Sequence, residues 1–270
     1  TQDIVFMKTQ LAGVSLLAVL ALGACQTAPV QGSGFLQTYD GLVEREDTIR
    51  ASIRQRRDDG ATGQISSLYL EPAVLVGDAG QGLSPEERQW VLREVDRQIC
   101  YEVTERFDLS PTAEGSPRLR TGVIEIGATG QAGSGVAAVA NVLIPGPGTF
   151  RVPGTTGGLA AETELLSADG RQVAALAWAR NANLLGTDSP STSRIGDALQ
   201  LAEPFGDEVG DTISPPDRAV RDIPDPDPCG QYGPRVQAAG FLTRTVTGVY
   251  VPELNTGTRE TSPEPRTTPR

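Results

Sequence analysis

Three cysteines, a scatter of carboxylates and no histidine are what this 270-residue chain offers to chemistry. Lys8 is the only lysine, so nearly all of the positive charge is arginine. Missing histidine and lysine exclude Ser-His-Asp and Cys-His catalysis, lysine Schiff bases and histidine-ligated zinc. Paired carboxylates can hydrolyse glycosides without histidine. Glu162 and Glu164 share one face of a strand, where the sequence predicts that they project into solvent. Gly133-Ser134-Gly135-Val136-Ala137-Ala138 fits a loose dinucleotide-binding pattern, but its strand ends too early and no acid stands about 20 residues on. Asp225-Pro226-Asp227-Pro228-Cys229-Gly230 begins like a calcium loop, yet Val236 stands where the closing Glu belongs. Neither pattern supports a cofactor or a metal. The second reads better as a stiff connector carrying Cys229 towards Cys100.

The cysteines divide by position. Met7 and Lys8 open an uncharged run from Leu11 that ends in Leu22-Gly23-Ala24-Cys25. A positive start, a short apolar stretch and small residues before a cut site make a secretory signal, here residues 1–24. Residues 1–6 read as sequence upstream of the start at Met7. Leu22 to Cys25 looks like a lipobox, which implies acylation of Cys25. An ordinary signal peptide with a chance cysteine is the plain alternative. Bacterial lipoproteins with Asp after the cysteine tend to stay in the inner membrane; Gln26 stands there, so the resemblance implies the outer membrane, facing the periplasm. In an oxidising compartment the remaining pair, Cys100 and Cys229, is expected to form a disulfide. Removing residues 1–24 takes away Asp3 and Lys8, which cancel, so the formal net charge stays at −11. That acidity argues against nucleic-acid partners and against extra attraction to an anionic bilayer.

The elements that must position these groups follow from pattern. Residues 25–33 read as a tether, 34–214 as one domain, 215–254 as a C-terminal extension and 255–270 as a disordered tail. The charge-dense run 45–60 reads as solvated surface. Ser67 to Val76 predicts one strand, with Pro72 marking an edge or a bulge. Ser84, Pro85, Glu86 and Glu87 make a helix start. Val91, Val95, Ile99, Val103 and Phe107 then give a helix over 84–107 with one apolar stripe, and Arg93, Glu94, Arg97, Glu105 and Arg106 on the opposite, polar side. A strand at about 119–126 and a short helix at 136–144 come next. Asp169-Gly170 between two apolar runs predicts a hairpin over 159–167 and 171–180. Residues 194–213 predict a helix that Pro204 breaks, and 240–253 read as strand.

Several of these segments resemble an uncharacterised family of bacterial lipoproteins, a domain of unknown function, over about residues 34–213. The resemblance rests on Gly34-Phe35-Leu36 with Tyr39 and Leu42, on Leu68-Tyr69-Leu70-Glu71-Pro72, on Gly82 to Glu87, on the Asp169-Gly170 hairpin and on Ile195-Gly196-Asp197. It implies no catalytic residues, and the extension lies outside it. The expected fold is α+β: a mostly antiparallel sheet of four or five strands with two helices packed on one face. The expected function is that of a non-enzymatic, lipid-anchored accessory acting through an envelope protein partner. The alternatives are a binding module for a glycan or lipid, with Trp90, Trp178 and Tyr250 lining its pocket, and a carboxylate-dependent hydrolase.

Overall fold

The computed structural model describes residues 32–46, 48, 51–130, 149–150, 156–183, 185–186 and 188–256. Cys25, the signal sequence, the Gly133–Ala138 pattern, the 136–144 helix and the tail beyond Thr256 lie outside the described residues.

Strands β1 (Val43–Glu44), β2 (Ala51–Arg57), β3 (Ser67–Leu70), β4 (Val74–Leu75), β5 (Asp108–Leu109), β6 (Arg118–Gly127), β8 (Gly158–Leu166) and β9 (Gln172–Asn181) form one mixed sheet. Its order is β1-β2-β9-β8-β6-β3-β5, with β4 beside β6. Two short strands, β7 (Thr149–Phe150) and β10 (Leu185–Gly186), pair separately. Among the described residues five α-helices accompany them: α1 (Asp59–Gly63), α2 (Pro85–Thr104), α3 (Gly196–Ile213), α4 (Ala238–Thr247) and α5 (Pro252–Asn255). The class is α+β, but the expectation of a four- or five-stranded antiparallel sheet with two helices is overturned.

Two causes account for the difference. The chain leaves β3, crosses through α2 and returns as β5 and β6 running parallel to β3, as strand–helix–strand crossovers do. Also, the charge-dense run is not surface alone. Its second half is β2, which pairs along β9 from Ala51↔Arg180 to Arg57↔Ala174 and buries Ile53. The predicted 67–76 strand is split, because Pro72 separates β3 from β4 while both pair with β6.

The core lies between the sheet and the layer of α2 and α3. Helix α2 starts as its residues dictate: Ser84 Oγ accepts from the Glu87 amide at 3.1 Å and Glu87 Oε2 accepts from the Ser84 amide at 2.7 Å. It ends at Thr104 rather than at Phe107, which turns back into the core. Helix α3 runs unbroken through Pro204. Its Leu199, Ala202, Phe205 and Val209 are buried between β8, β9 and α2, and Trp178 meets Phe205 with ring centroids 5.4 Å apart. Burying Leu199, Phe205 and Val209 contributes about 1.5–3 kcal/mol each, which together outweighs the roughly 3 kcal/mol cost of an interior proline. The hairpin forms as expected, with Gly170 at φ +85° in its turn.

The extension differs most from its reading. Residues 240–253 form no strand; they make α4, a turn at Gly248 (φ +68°) and α5. Gly240 lets the two helices close, since a Cβ there would lie 2.3 Å from the Leu254 carbonyl oxygen. This hairpin lies over α2, where Trp90 Nε1 donates to Thr256 Oγ1 at 3.2 Å and Arg97 Nη2 to the Asn255 carbonyl at 3.3 Å. Glu94 and Arg97, predicted on the polar side, are therefore only 3% and 4% exposed and ion-paired at 2.6 Å.

Candidate functional site

The two carboxylates singled out in the sequence are not a cleft pair. Glu162 and Glu164 do share a face of β8, the face turned away from α3, but both are fully buried. Small residues around them, Ala160, Ala177, Ala179 and Gly122, leave room for residues 32–42 to cross that face as a strap. Ser33 donates to Glu162 through its amide (3.2 Å) and its hydroxyl (2.6 Å), and Tyr39 Oη donates to the same carboxylate at 2.7 Å. Glu164 accepts from the Gln37 amide at 2.9 Å, from Gln172 Nε2 at 2.8 Å and from Arg120 Nη1 at 2.9 Å. The expected projection into solvent is wrong because the cover comes from more than 120 residues away in the chain. These hydrogen bonds make the pair an anchor for the strap.

The aromatic pocket expected from Trp90, Trp178 and Tyr250 does not form either. Trp178 and Tyr250 belong to the core, and Trp90 packs against it. In the calcium-like loop, Asp227 is held by Arg235 at 2.7 Å and by the Cys229 amide at 2.9 Å, and the arginine keeps its carboxyl below the usual carboxylate range.

The disulfide between Cys100 and Cys229 is present, with Cα atoms 5.9 Å apart. It lies in a small cluster with Tyr101, bordered by Leu70, Leu109 and Tyr232. Arginines stitch the rest of the extension down. Arg218 lies over the Phe107 ring at 4.2 Å and donates to the Thr62 and Ile65 carbonyls, and Arg235 stacks on Tyr101 at 4.5 Å. An arginine can satisfy several carbonyls at once, which suits it to fastening loops.

Beside the disulfide is a recess of about 560 Å³ between the β3–β4 segment, one side of α2, the start of β6 and the extension. Leu70, Ile99, Leu109 and Leu119 give it apolar walls, with Tyr69 and Tyr232 at its sides. Asp96 reaches it from α2, one turn before Ile99 and Cys100. One carboxylate oxygen accepts from the Ala73 amide at 2.8 Å. Burial raises its pKa to about 7, against the lowering effects of that hydrogen bond and of Arg93. Glu71, the other acid in the lining, is ion-paired with Arg118 at 3.0 Å and Arg120 at 3.6 Å. Burial, with Asp96 nearby, pushes Tyr232 up to about 12 and keeps its hydroxyl protonated. Sequence reasoning missed this site. One signal was available: Asp96 stands three and four residues before Ile99 and Cys100, on the side of the helix that turns inward.

The family described as "Protein of unknown function (DUF3313)" matches residues 31–209. The chain belongs to that family. DUF3313 thus accounts for the strap, the sheet and most of α3, while the part of the extension that closes the recess lies beyond the matched residues. No curated protein matches the chain. Among solved structures, the PelC dodecamer from Paraburkholderia phytofirmans is similar at 10% identity and a TM-score of 0.33, covering 59% of this chain and 94% of that one. A point variant of the same dodecamer is similar at 12% identity and a TM-score of 0.31, covering 59% and 93%. At those TM-scores nothing carries over to this DUF3313 member.

Proposed function

We propose that this protein is a lipid-anchored component of the bacterial envelope, facing the periplasm from the outer membrane, that works by binding rather than by turnover. The recess beside Cys100–Cys229 is its ligand site. The observation that carries the reading is Asp96, a carboxyl turned into a partly apolar recess with only one of its oxygens hydrogen-bonded among the described residues. A small number of polar groups in a concave, mostly preformed site is what ligand pockets share. Asp96 and Glu71 could in principle divide acid and base roles. Against that, Arg118 and Arg120 pair with the two oxygens of Glu71, which commits that acid to ion pairs rather than to proton transfer. Anchoring is supported by Leu22 to Cys25 and Gln26. No described helix is long and apolar enough to cross a membrane.

The anchor is tested by labelled palmitate and fractionation. The parent chain should incorporate label and sediment with outer membranes, and Cys25→Ala should lose both. A Cys25→Ala chain that kept label and membrane would refute it. For the recess, release of product from a panel of aryl glycosides, abolished by Asp96→Asn, would replace binding with hydrolysis.

One feature favours a second reading, contact with a protein partner. Helix α4 leaves Phe241 (66%), Leu242 (61%) and Val246 (81%) exposed along one side. In-cell crosslinking from that side should recover a reproducible partner, and recovering none would count against it.

A further inference from the structure

We infer that the recess takes a small organic cation, a primary ammonium carried on an apolar body, with the Asp96 carboxylate as its counter-ion. This names the ligand class of the site proposed above and rests on that reading. The side chains lining the recess include two acids, Glu71 and Asp96, and no lysine or arginine. Glu71 is already neutralised by Arg118 and Arg120. Asp96 has no such ion pair among the described residues, Arg93 acting on it only through its charge: Ala73 serves one oxygen, and the other has no bonded partner among the described residues. An anionic ligand would meet the open Asp96 carboxylate, while Arg118 and Arg120 are committed to Glu71 and Arg93 lies over Tyr232. A purely apolar ligand would strip water from the open Asp96 oxygen and return no donor, a cost of about 1–3 kcal/mol for an unpaired polar group and more for a charged one. A positively charged N–H donor answers both demands, and Leu70, Ile99 and Leu109 accommodate its alkyl part. Aromatic faces strengthen such sites. Tyr232 already accepts one cation, the Arg93 guanidinium 5.3 Å from its centroid, and Tyr69 stands in the lining as well. Pro228, Gln231 and Tyr232 come from beyond the residues that match DUF3313, whereas Asp96 lies within them.

Binding should be linked to protons. Facing or flanking Asp96 are Arg93 on the same helix, the Ala73 amide and Glu71 from the β3–β4 segment, and Tyr232 from the extension. Asp96 ionises near pH 7, so its counter-ion role switches on as pH rises from 6 to 8. A group of that pKa is about one-tenth ionised at pH 6 and about nine-tenths at pH 8, which sets an affinity gain of about tenfold.

The test is a titration of the isotope-labelled full chain, followed at the Ala73 amide resonance, with hexylammonium, hexan-1-ol and hexanoate. Hexylammonium should shift that resonance to saturation, about tenfold tighter at pH 8 than at pH 6. Hexanoate should not bind. Asp96→Asn should weaken hexylammonium at pH 8 by at least about tenfold and erase the pH dependence, with circular dichroism unchanged. If hexan-1-ol binds as tightly as hexylammonium and Asp96→Asn alters neither, the cation assignment is wrong while the recess remains a binding site. If none of the three perturbs Ala73, the recess reading falls with it.

Discussion

Burial raises the carboxyl pKa of both Asp96 and Glu94, which stand two residues apart on α2 but face different surroundings. A carboxyl whose pKa is higher folded than unfolded binds protons on folding, so its contribution to stability is complete below the unfolded value and is lost as pH rises through the folded one. For Asp96 that window runs from about 4 to about 7. Asp207, also raised to about 7 by desolvation and by Glu102, Glu203 and Asp211, acts in the same direction. The unfolding free energy from urea melts should therefore fall between pH 5 and pH 8, and Asp96→Asn should reduce that fall by on the order of 1 kcal/mol. An identical slope in parent and variant would show that Asp96 ionises normally. Glu94 is different because Arg97 covers it at 2.6 Å. Arg97→Ala strands a buried acid and should cost roughly 3–5 kcal/mol, whereas replacing both partners by apolar residues should cost far less. Equal losses in the two variants would mean that the pair's charges are not what matters. Neither environment was legible in the sequence. Glu94 and Arg97 have the spacing of a solvent-facing pair, and only the α4–α5 hairpin over them makes it a buried one.

Elements differ in how far they depend on distant partners. Helix α2 carries its own start in Ser84, Pro85 and Glu87, and the β8–β9 turn carries Asp169 and Gly170. Both were therefore legible before any contact was known. Helix α3 is the opposite case. Pro204 argues for a break, and burial against α2 and the sheet overrides it. Pro204→Ala restores an N–H to the helix interior and should raise stability by about 1 kcal/mol, read from the thermal midpoint. A loss would show that the helix is shaped around the proline. The extension depends on one covalent staple and several arginines. Cys100→Ala with Cys229→Ala should cost about 2–4 kcal/mol and open residues 215–254 to limited proteolysis. A double variant as resistant as the parent would mean that Arg218 and Arg235 hold the segment unaided.

Across the whole molecule, the sheet is covered differently on its two faces. The strap crosses one face over Glu162 and Glu164, while α2 and α3 form a layer on the other, with the α4–α5 hairpin over α2. A lipid on Cys25 would thus pull on a segment hydrogen-bonded to buried carboxylates, so the Cys25→Ala chain should leave the membrane with its thermal midpoint unchanged. A drop in that midpoint would implicate the anchor in folding. From its residues alone, the chain determined what is local or compositional. That comprises the absence of histidine and lysine chemistry, the caps of α2 and the hairpin turn. Tertiary structure alone decided the parallel strands beside β3, the burial of Glu162 and Glu164, the enclosure of Glu94 with Arg97, and the recess at Asp96. The reason is range. A cap or a turn is specified within a few residues, but whether a carboxylate meets water or a buried donor depends on segments more than a hundred residues away, brought there by apolar burial that no local pattern encodes.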